Sequence, residues 1–327
     1  AAPQTRGAAV VSESEAMLRA IRLAARSFVS ARPNPPVGCV VLSRMGQAVG
    51  EGRHLRPGQP HAEPIALGQA ASDAKGGTLV VTLEPCNHFG RTPPCTHRIL
   101  EAGIARVVYA CRDQNPEAEG GSDFLRRNGV EVVHAPHPHA TRLNAPHLTL
   151  STKGRPHVIA KWAQCSDGNM CPPAGKNPWI SGTKSRREVH RLRGRVDAVL
   201  TGIGTVLADD CRLDPRDYPR LQIPLVAVAS RKHPIPAQAK ILCNQNLLTL
   251  KEVHPRDQLK ALGQQGVSVV LLEAGPTLLH AYWTSSLIDE AWIFLATDPL
   301  PGGHSQSPVP NPEQELGKGS KESTVQF

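Results

Sequence analysis

The chain has 327 residues, with 37 Lys and Arg against 28 Asp and Glu, a formal net charge of +9 and only 4 per cent Phe, Trp and Tyr. That length suits two domains of ordinary size, each able to bury a core; no apolar run approaches the ~18 residues that cross a bilayer and no signal-peptide pattern opens the sequence, so a soluble cytoplasmic protein with no membrane partner is expected. The positive charge favours an anionic partner, and without a basic run interleaved with aromatics to stack bases, a phosphorylated small molecule is expected in place of nucleic acid.

Taken in chain order, Glu13 to Arg32 carries Met17, Ile21, Ala24, Ala25 and Phe28 at helical spacing, with Ser14 as the expected cap. Val37 to Leu42 and Ala48 to Gly52 read as strands joined at Met45-Gly46. Helix and strand then alternate: 62–74, 78–83, 95–102, 106–110, 121–128 and 130–134. Residues 151–156 have linker composition, and a second run of strands is expected at 157–163, 197–201, 224–229, 246–250, 267–272 and 291–296. A capping box at Ser185 to Glu188 is expected to open a helix reaching Leu192. Residues 301–327 are rich in Pro, Gly, Ser and Gln without periodicity, and disorder is expected there. The alternation implies an α/β protein with parallel strands covered by helices, divided into domains at about 1–150 and 157–300.

The chemistry is concentrated in His61-Ala62-Glu63, followed by Pro85-Cys86 and then Cys95. One imidazole and two thiolates suit a catalytic zinc that keeps a fourth position open. Glu63, two residues from the histidine, is the candidate general base that takes a proton from water and returns it to a leaving amine. H-x-E followed by P-C and a second cysteine is the zinc-deaminase signature. Taken singly, a histidine is more often a surface or satisfied core residue, and a cysteine a small buried hydrophobe. The remaining six cysteines, Cys39, Cys111, Cys165, Cys171, Cys211 and Cys243, are too irregularly spaced for a disulfide scaffold and are expected to be free thiols.

In the second half no G-x-G-x-x-G follows a strand, so an ordinary Rossmann site is not expected. Gly202-Ile203-Gly204-Thr205 is a weak substitute. Glu273-Ala274-Gly275-Pro276-Thr277 lies between an expected strand and a helix, where free amides and the helix dipole would face an anion.

Pro33-Asn34-Pro35-Pro36-Val37-Gly38, Gly50-Glu51-Gly52-Arg53-His54, His61-Ala62-Glu63, Thr82-Leu83-Glu84-Pro85-Cys86 and Gly90-Arg91-Thr92-Pro93-Pro94-Cys95 occur in one order. Together they resemble the deaminase half of the bifunctional riboflavin-biosynthesis deaminase-reductase family; Asp113-Gln114-Asn115-Pro116 is similar to its D-P-N-P run. Lys161-Trp162-Ala163, Asp167-Gly168, Trp179-Ile180-Ser181, Gly204-Thr205-Val206 and Asp209-Asp210 are similar to its reductase half. The resemblance implies a cytidine-deaminase-like three-layer domain followed by a dihydrofolate-reductase-like domain, with zinc and NADPH as cofactors. It implies zinc-dependent deamination of 2,5-diamino-6-(ribosylamino)pyrimidinone 5'-phosphate and then reduction of ribosyl to ribityl. Carried over residue by residue, it implies zinc on His61, Cys86 and Cys95 with Glu63 catalytic. NADPH would lie against Ala163, Trp179, Thr205, Asp209, Ser230, Gly275, Pro276 and Thr277, and the substrate against Asn177, Arg193, Leu213, Arg216 and Glu273. The chain departs from the family at Cys165, Asn177, Cys211, Asp214 and Ala229, and Asp214 stands where it would repel a phosphate or occupy Arg216. The alternatives are a deaminase with a degenerate reductase half and, further off, a nucleic-acid deaminase; self-association into a homo-oligomer is left open.

Overall fold

The computed structural model describes residues 9–89, 93–115, 120–171, 182–216, 222–296, 299, 302–309 and 324–326. They fall into two compact units, Ala1–Gly154 and Arg155–Phe327.

The first unit opens with helix α1 (Glu13–Ala25), started by a capping box in which Ser12 and Glu15 satisfy each other's backbone amides. Ser12, not Ser14, is therefore the cap. The helix ends earlier than its periodicity suggests, tightening into i→i−3 bonds at Arg26, Ser27 and Phe28. Next come β1 (Gly38–Leu42), β2 (Ala48–Arg53), α2 (Ala62–Ala70), a 3-10 turn at Ala71–Ala74, β3 (Thr78–Leu83), α3 (Cys95–Glu101), β4 (Arg106–Cys111), α4 (Gly121–Arg127), β5 (Glu131–His134) and α5 (Pro138–Lys153). The sheet order is β2-β1-β3-β4-β5. β1 runs antiparallel to β2 and β3, whereas β3, β4 and β5 are parallel. Leu79, Val80 and Val81 are fully buried, which is why β3 reads as a continuous apolar run. Each such side chain contributes roughly 1.5–3 kcal/mol of burial.

Two glycines set the approach of the elements that carry the chemistry. A Cβ at Gly52 would lie 2.1 Å from the Ala62 carbonyl oxygen, so α2 rests on β2 backbone to backbone. A Cβ at Gly121 would lie 1.8 Å from the Pro85 carbonyl oxygen, which seats the start of α4 beneath the Pro85-Cys86 turn. Sequence periodicity misses α5, because Pro138 and Pro146 interrupt the pattern. Pro138 is tolerated in the first turn, and Gly154 ends the helix in the left-handed conformation. Ser151 to Lys153, expected as linker, are thus the last turn of this helix.

The second unit contains β6 (His157–Gln164), β7 (Asn169–Cys171), α6 (Thr183–Arg193), β8 (Ala198–Gly202), α7 (Ile203–Asp209), β9 (Leu225–Ala229), a 3-10 turn at Lys240–Cys243, β10 (Leu247–Leu250), α8 (Pro255–Gln264), β11 (Val269–Leu272), α9 (Pro276–Thr284), β12 (Glu290–Leu295), β13 (His304–Gln306) and β14 (Thr324–Gln326). Its main sheet has the order β10-β9-β8-β11-β6-β12-β14, and β14 alone pairs antiparallel. Alternation along β6 sends Val158, Ala160 and Trp162 into one core and Ile159 into the other, so the sheet is covered on both faces. Gly182 caps α6 without a side-chain bond, so the capping box expected at Ser185 does not form.

Residues 302–309 and 324–326 depart from the expected disorder, the latter pairing as β14 with β12. β13 pairs with β7, Trp162 Nε1 donates to Ser307 Oγ at 3.0 Å, and Gln164 Nε2 donates to the Val309 carbonyl at 3.1 Å. Buried polar atoms of β6 require partners, and this segment supplies them. Residues 310–323 lie outside the described residues, as do Asn177 and Trp179.

Candidate functional site

In the first unit, His61 is the residue before α2, Glu63 lies in its first turn, Cys86 follows β3, and Cys95 opens α3. The close packing of α2 on β2 and the apolar drive of β3 thus deliver three separated residues to one point. His61 Nδ1 lies 3.3 Å from Cys95 Sγ and 3.6 Å from Cys86 Sγ, and all three candidate ligand atoms lie within 4.8 Å of one another. A tetrahedral ion with Zn–S of about 2.3 Å and Zn–N of about 2.0 Å separates nitrogen and sulfur donors by about 3.6 Å. The trio therefore fits zinc in both donor chemistry and spacing.

The two thiols shift in opposite directions. Hydrogen bonding from Cys95 and from His61 outweighs burial and draws the Cys86 thiol down to about 4, while the same bond and burial push Cys95 up. Glu63 is 3 % exposed; burial, with the Cys86 charge adding to it, pushes its carboxyl above the usual carboxylate range. Glu84 directs its Oε1 to the Ser122 amide at 2.9 Å, bracing the turn that carries Cys86.

A cavity opens beside this cluster, lined by Asn34, Pro35, Val37, His54, His61, Glu63, Leu83, Glu84, Cys86, His88, Asp113, Asn115 and His147. His54 Nδ1 faces the Pro60 carbonyl at 3.1 Å, so it carries the proton and leaves Nε2 to accept from Asn34 Nδ2 at 3.1 Å. Sequence reasoning assigned no role to Asn34, His54, His88, Asp113 or Asn115, although all lie within or beside the motifs that carry the resemblance. No sequence signal marks His147.

In the second unit the carbonyl ends of parallel strands converge, as open α/β sheets build their sites. Ala163 lies near the end of β6, Ser230 follows β9, Thr205 and Asp209 lie on α7 after β8, and Glu273 follows β11. Thr205 Oγ1 accepts from the Gly275 amide at 2.9 Å, joining two of the expected cofactor stretches. Gly275 caps α9 and Pro276 is its first residue, leaving the Thr277 and Leu278 amides as first-turn donors. A Cβ at Gly275 would lie 3.2 Å from Thr205 Oγ1, so a side chain would crowd this cradle. These features fit a phosphate-bearing cofactor. Ser230 is buried and donates to the His233 carbonyl.

The expected substrate residues are largely engaged with one another. Arg193 binds Glu273 through two bonds, of 2.6 and 3.0 Å, with side chains 12 % and 7 % exposed. Lys161, which sequence reasoning left without a role, lies 3.6 Å from the same carboxylate and 5.9 Å from the centre of the Phe294 ring. Burial would raise the Glu273 carboxyl, but Arg193 and Lys161 outweigh it and hold it at about 2. Burial pushes Lys161 down against the pull of Glu273, and raises Asp209 against that of Lys161. Arg216 pairs with Asp214, which also holds Arg212 at 3.1 Å. Leu213, between them, is buried with φ 59, a backbone conformation unusual for a residue with a side chain. None of the eight cysteines, all of them among the described residues, forms a disulfide. No helix among the described residues is long and apolar enough to cross a membrane.

The model for the cytidine and deoxycytidylate deaminase zinc-binding region matches residues 11–111, and that for the RibD C-terminal domain matches residues 156–316. The chain is 38 % identical over 308 residues to the riboflavin biosynthesis protein RibD of Aquifex aeolicus, covering 86 % of this chain and 85 % of that one. Among solved structures, Acinetobacter baumannii RibD is similar at a TM-score of 0.78 and 37 % identity, covering 90 % of this chain and 88 % of that one. The Thermotoga maritima diaminohydroxyphosphoribosylaminopyrimidine deaminase/5-amino-6-(5-phosphoribosylamino)uracil reductase is similar at a TM-score of 0.79 and 31 % identity, covering 96 % and 97 %.

Proposed function

Because the chain belongs to the RibD family, the bifunctional deaminase-reductases of riboflavin biosynthesis, we propose that its two units perform on the same compounds the two reactions named for the Thermotoga maritima relative. The observation that carries the deaminase reading is the His61, Cys86 and Cys95 trio with Glu63 buried beside it. These three residues would hold zinc, which when bound would make a water acidic enough to lose a proton near neutral pH. Glu63 would accept a proton from the attacking water at a carboxylate oxygen and pass it to the departing amine nitrogen; the water's oxygen bonds to the ring carbon as the C–N bond breaks, and the nitrogen leaves as ammonia. The buried wall around Glu63 excludes competing bulk water and keeps the carboxylate basic. Asn34 and His54, locked to each other, give the base a fixed polar edge.

In the second unit the free first-turn amides of α9 and the Gly275 cradle favour NADPH, which supplies a hydride to the sugar carbon. The chain's own contribution is orientation. Thr205 fixes the Gly275 turn, Glu273 holds Arg193 and Lys161 in a fixed cationic arrangement, and Arg216 is the partly exposed guanidinium available to the substrate phosphate once Asp214 releases it. Asn177 and Trp179 complete the proposed substrate and cofactor contacts.

Elemental analysis, ammonia release from the diaminopyrimidinone nucleotide and fluorescence titration with NADPH test the reading. It predicts one zinc per chain, ammonia released without NADPH, and saturable NADPH binding. Absence of zinc removes the first assignment, and absence of NADPH binding favours a deaminase with a degenerate second unit.

A further inference from the structure

The deamination pocket has a wall that the zinc chemistry does not use. His147, on α5, lines it together with Asp113 and Asn115. The His147 side chain is 15 % exposed, and its Nε2 is buried without a hydrogen-bond partner. Asp113 Oδ1 lies 3.7 Å from that nitrogen, beyond hydrogen-bond length, and accepts the Asn115 amide at 3.0 Å. A buried polar atom left unmet is costly, and such an atom beside a cavity invites a role completed by a ligand. A closure of about 0.8 Å would bring the pair to ordinary hydrogen-bond length.

We propose that His147 is a positioning residue for substrate recognition: it closes onto Asp113 when the base binds and fixes that carboxylate as an acceptor for N–H groups of an aminopyrimidine. An ionised carboxylate can only accept, so it pairs with N–H groups and has nothing to offer a carbonyl. A diaminopyrimidine carrying a ribosylamino group is rich in N–H donors, whereas a ring with carbonyl or C–H on that edge leaves the carboxylate unpaired. Rejection of such rings follows from the unpaired buried charge, not from size. The inference rests on the deaminase reading above, and it gives α5 a task that packing alone does not require.

Steady-state ammonia release from the diaminopyrimidinone nucleotide, with zinc content measured in every variant, tests it. His147→Phe keeps a ring but loses the donor; KM is expected to rise about tenfold or more, the loss of one charge-assisted bond, with kcat within about threefold. His147→Gln, which restores a donor, is expected to recover most of the KM. Asp113→Asn is expected to cost less in the His147→Phe background than in the wild type, because without His147 the carboxylate is no longer fixed against the base. Should His147→Phe fail to fold, His147→Asn, polar but too short to reach, takes its place with the same expectation. An unchanged KM in the zinc-loaded variant, or fully additive effects with Asp113→Asn, would overturn the proposal. A zinc-loaded wild-type protein that releases no ammonia overturns the deaminase reading and this inference with it.

Discussion

The two candidate sites are built on opposite electrostatic plans. In the first unit, one histidine and two cysteines converge as candidate metal ligands, and a buried carboxyl beside them is pushed above its ordinary range. In the second, Glu273 is already matched by Arg193 and Lys161, and Asp214 by Arg212 and Arg216. The first site is a set of donors that suits a metal; the second is closed on itself, two carboxylates held by four cationic side chains with positive charge to spare. Each plan makes different residues decisive.

The largest effect is expected at Glu63. Glu63→Gln keeps the side-chain shape but cannot carry the proton, so ammonia release should fall about 10²–10⁴-fold or more with zinc retained. Reduction of separately supplied deaminated nucleotide should be unchanged. Full deamination in this variant would remove Glu63 from the mechanism.

Next comes the closed cluster. Glu273→Gln leaves the largely buried Arg193 guanidinium without its carboxylate, which should destabilise the second unit by up to about 3–5 kcal/mol in denaturant unfolding. The same cluster fixes a pH dependence. The Glu273 carboxyl is held at about 2 against its ordinary 4.5, so its contribution to stability is fully present above about pH 4.5 and is lost as pH falls through about 2. A variant as stable as the parent, or one with the same acid limb, would show that the cluster is not closed in this way.

Arg216→Ala should weaken nucleotide binding by roughly 1.5–3 kcal/mol, as for one charged hydrogen bond, and leave NADPH affinity nearly unchanged. The smallest effect is expected from Asp214→Thr, which removes the anion that holds Arg216 and Arg212. Reductase KM should stay equal or fall by a few-fold, worth less than about 1 kcal/mol. A rise in KM would mean that Asp214 orients the arginines productively.

The contrast also decides how much could be read from the sequence. The deaminase centre was legible because His61 and Glu63 share one turn, and Cys86 and Cys95 sit at a strand end and a helix start that apolar patterning reveals. The strands of the five-stranded sheet, and those of the seven-stranded sheet other than β14, were legible for the same reason, to within a residue or two. α5 was not, since two prolines mask its periodicity, and His147 was lost with it. In the second unit, the pairing of Arg193 with Glu273 joins residues 80 positions apart, and nothing local announces it. Resemblance could name both as substrate contacts but not reveal that they bind each other. The strand at His304–Gln306 was hidden by a composition that usually means disorder, because the partners that order it belong to β6 and β7.

Supplying the zinc-loaded protein with the diaminopyrimidinone nucleotide, with and without NADPH, and identifying the products by mass tests both proposed activities of the chain at once. The deaminated ribosylamino compound alone is expected without NADPH, and with it the ribitylamino compound, one NADPH oxidised per molecule formed. A protein that deaminates but never oxidises NADPH would rule out the reductase, and one that leaves the nucleotide unchanged in both cases would rule out the deaminase.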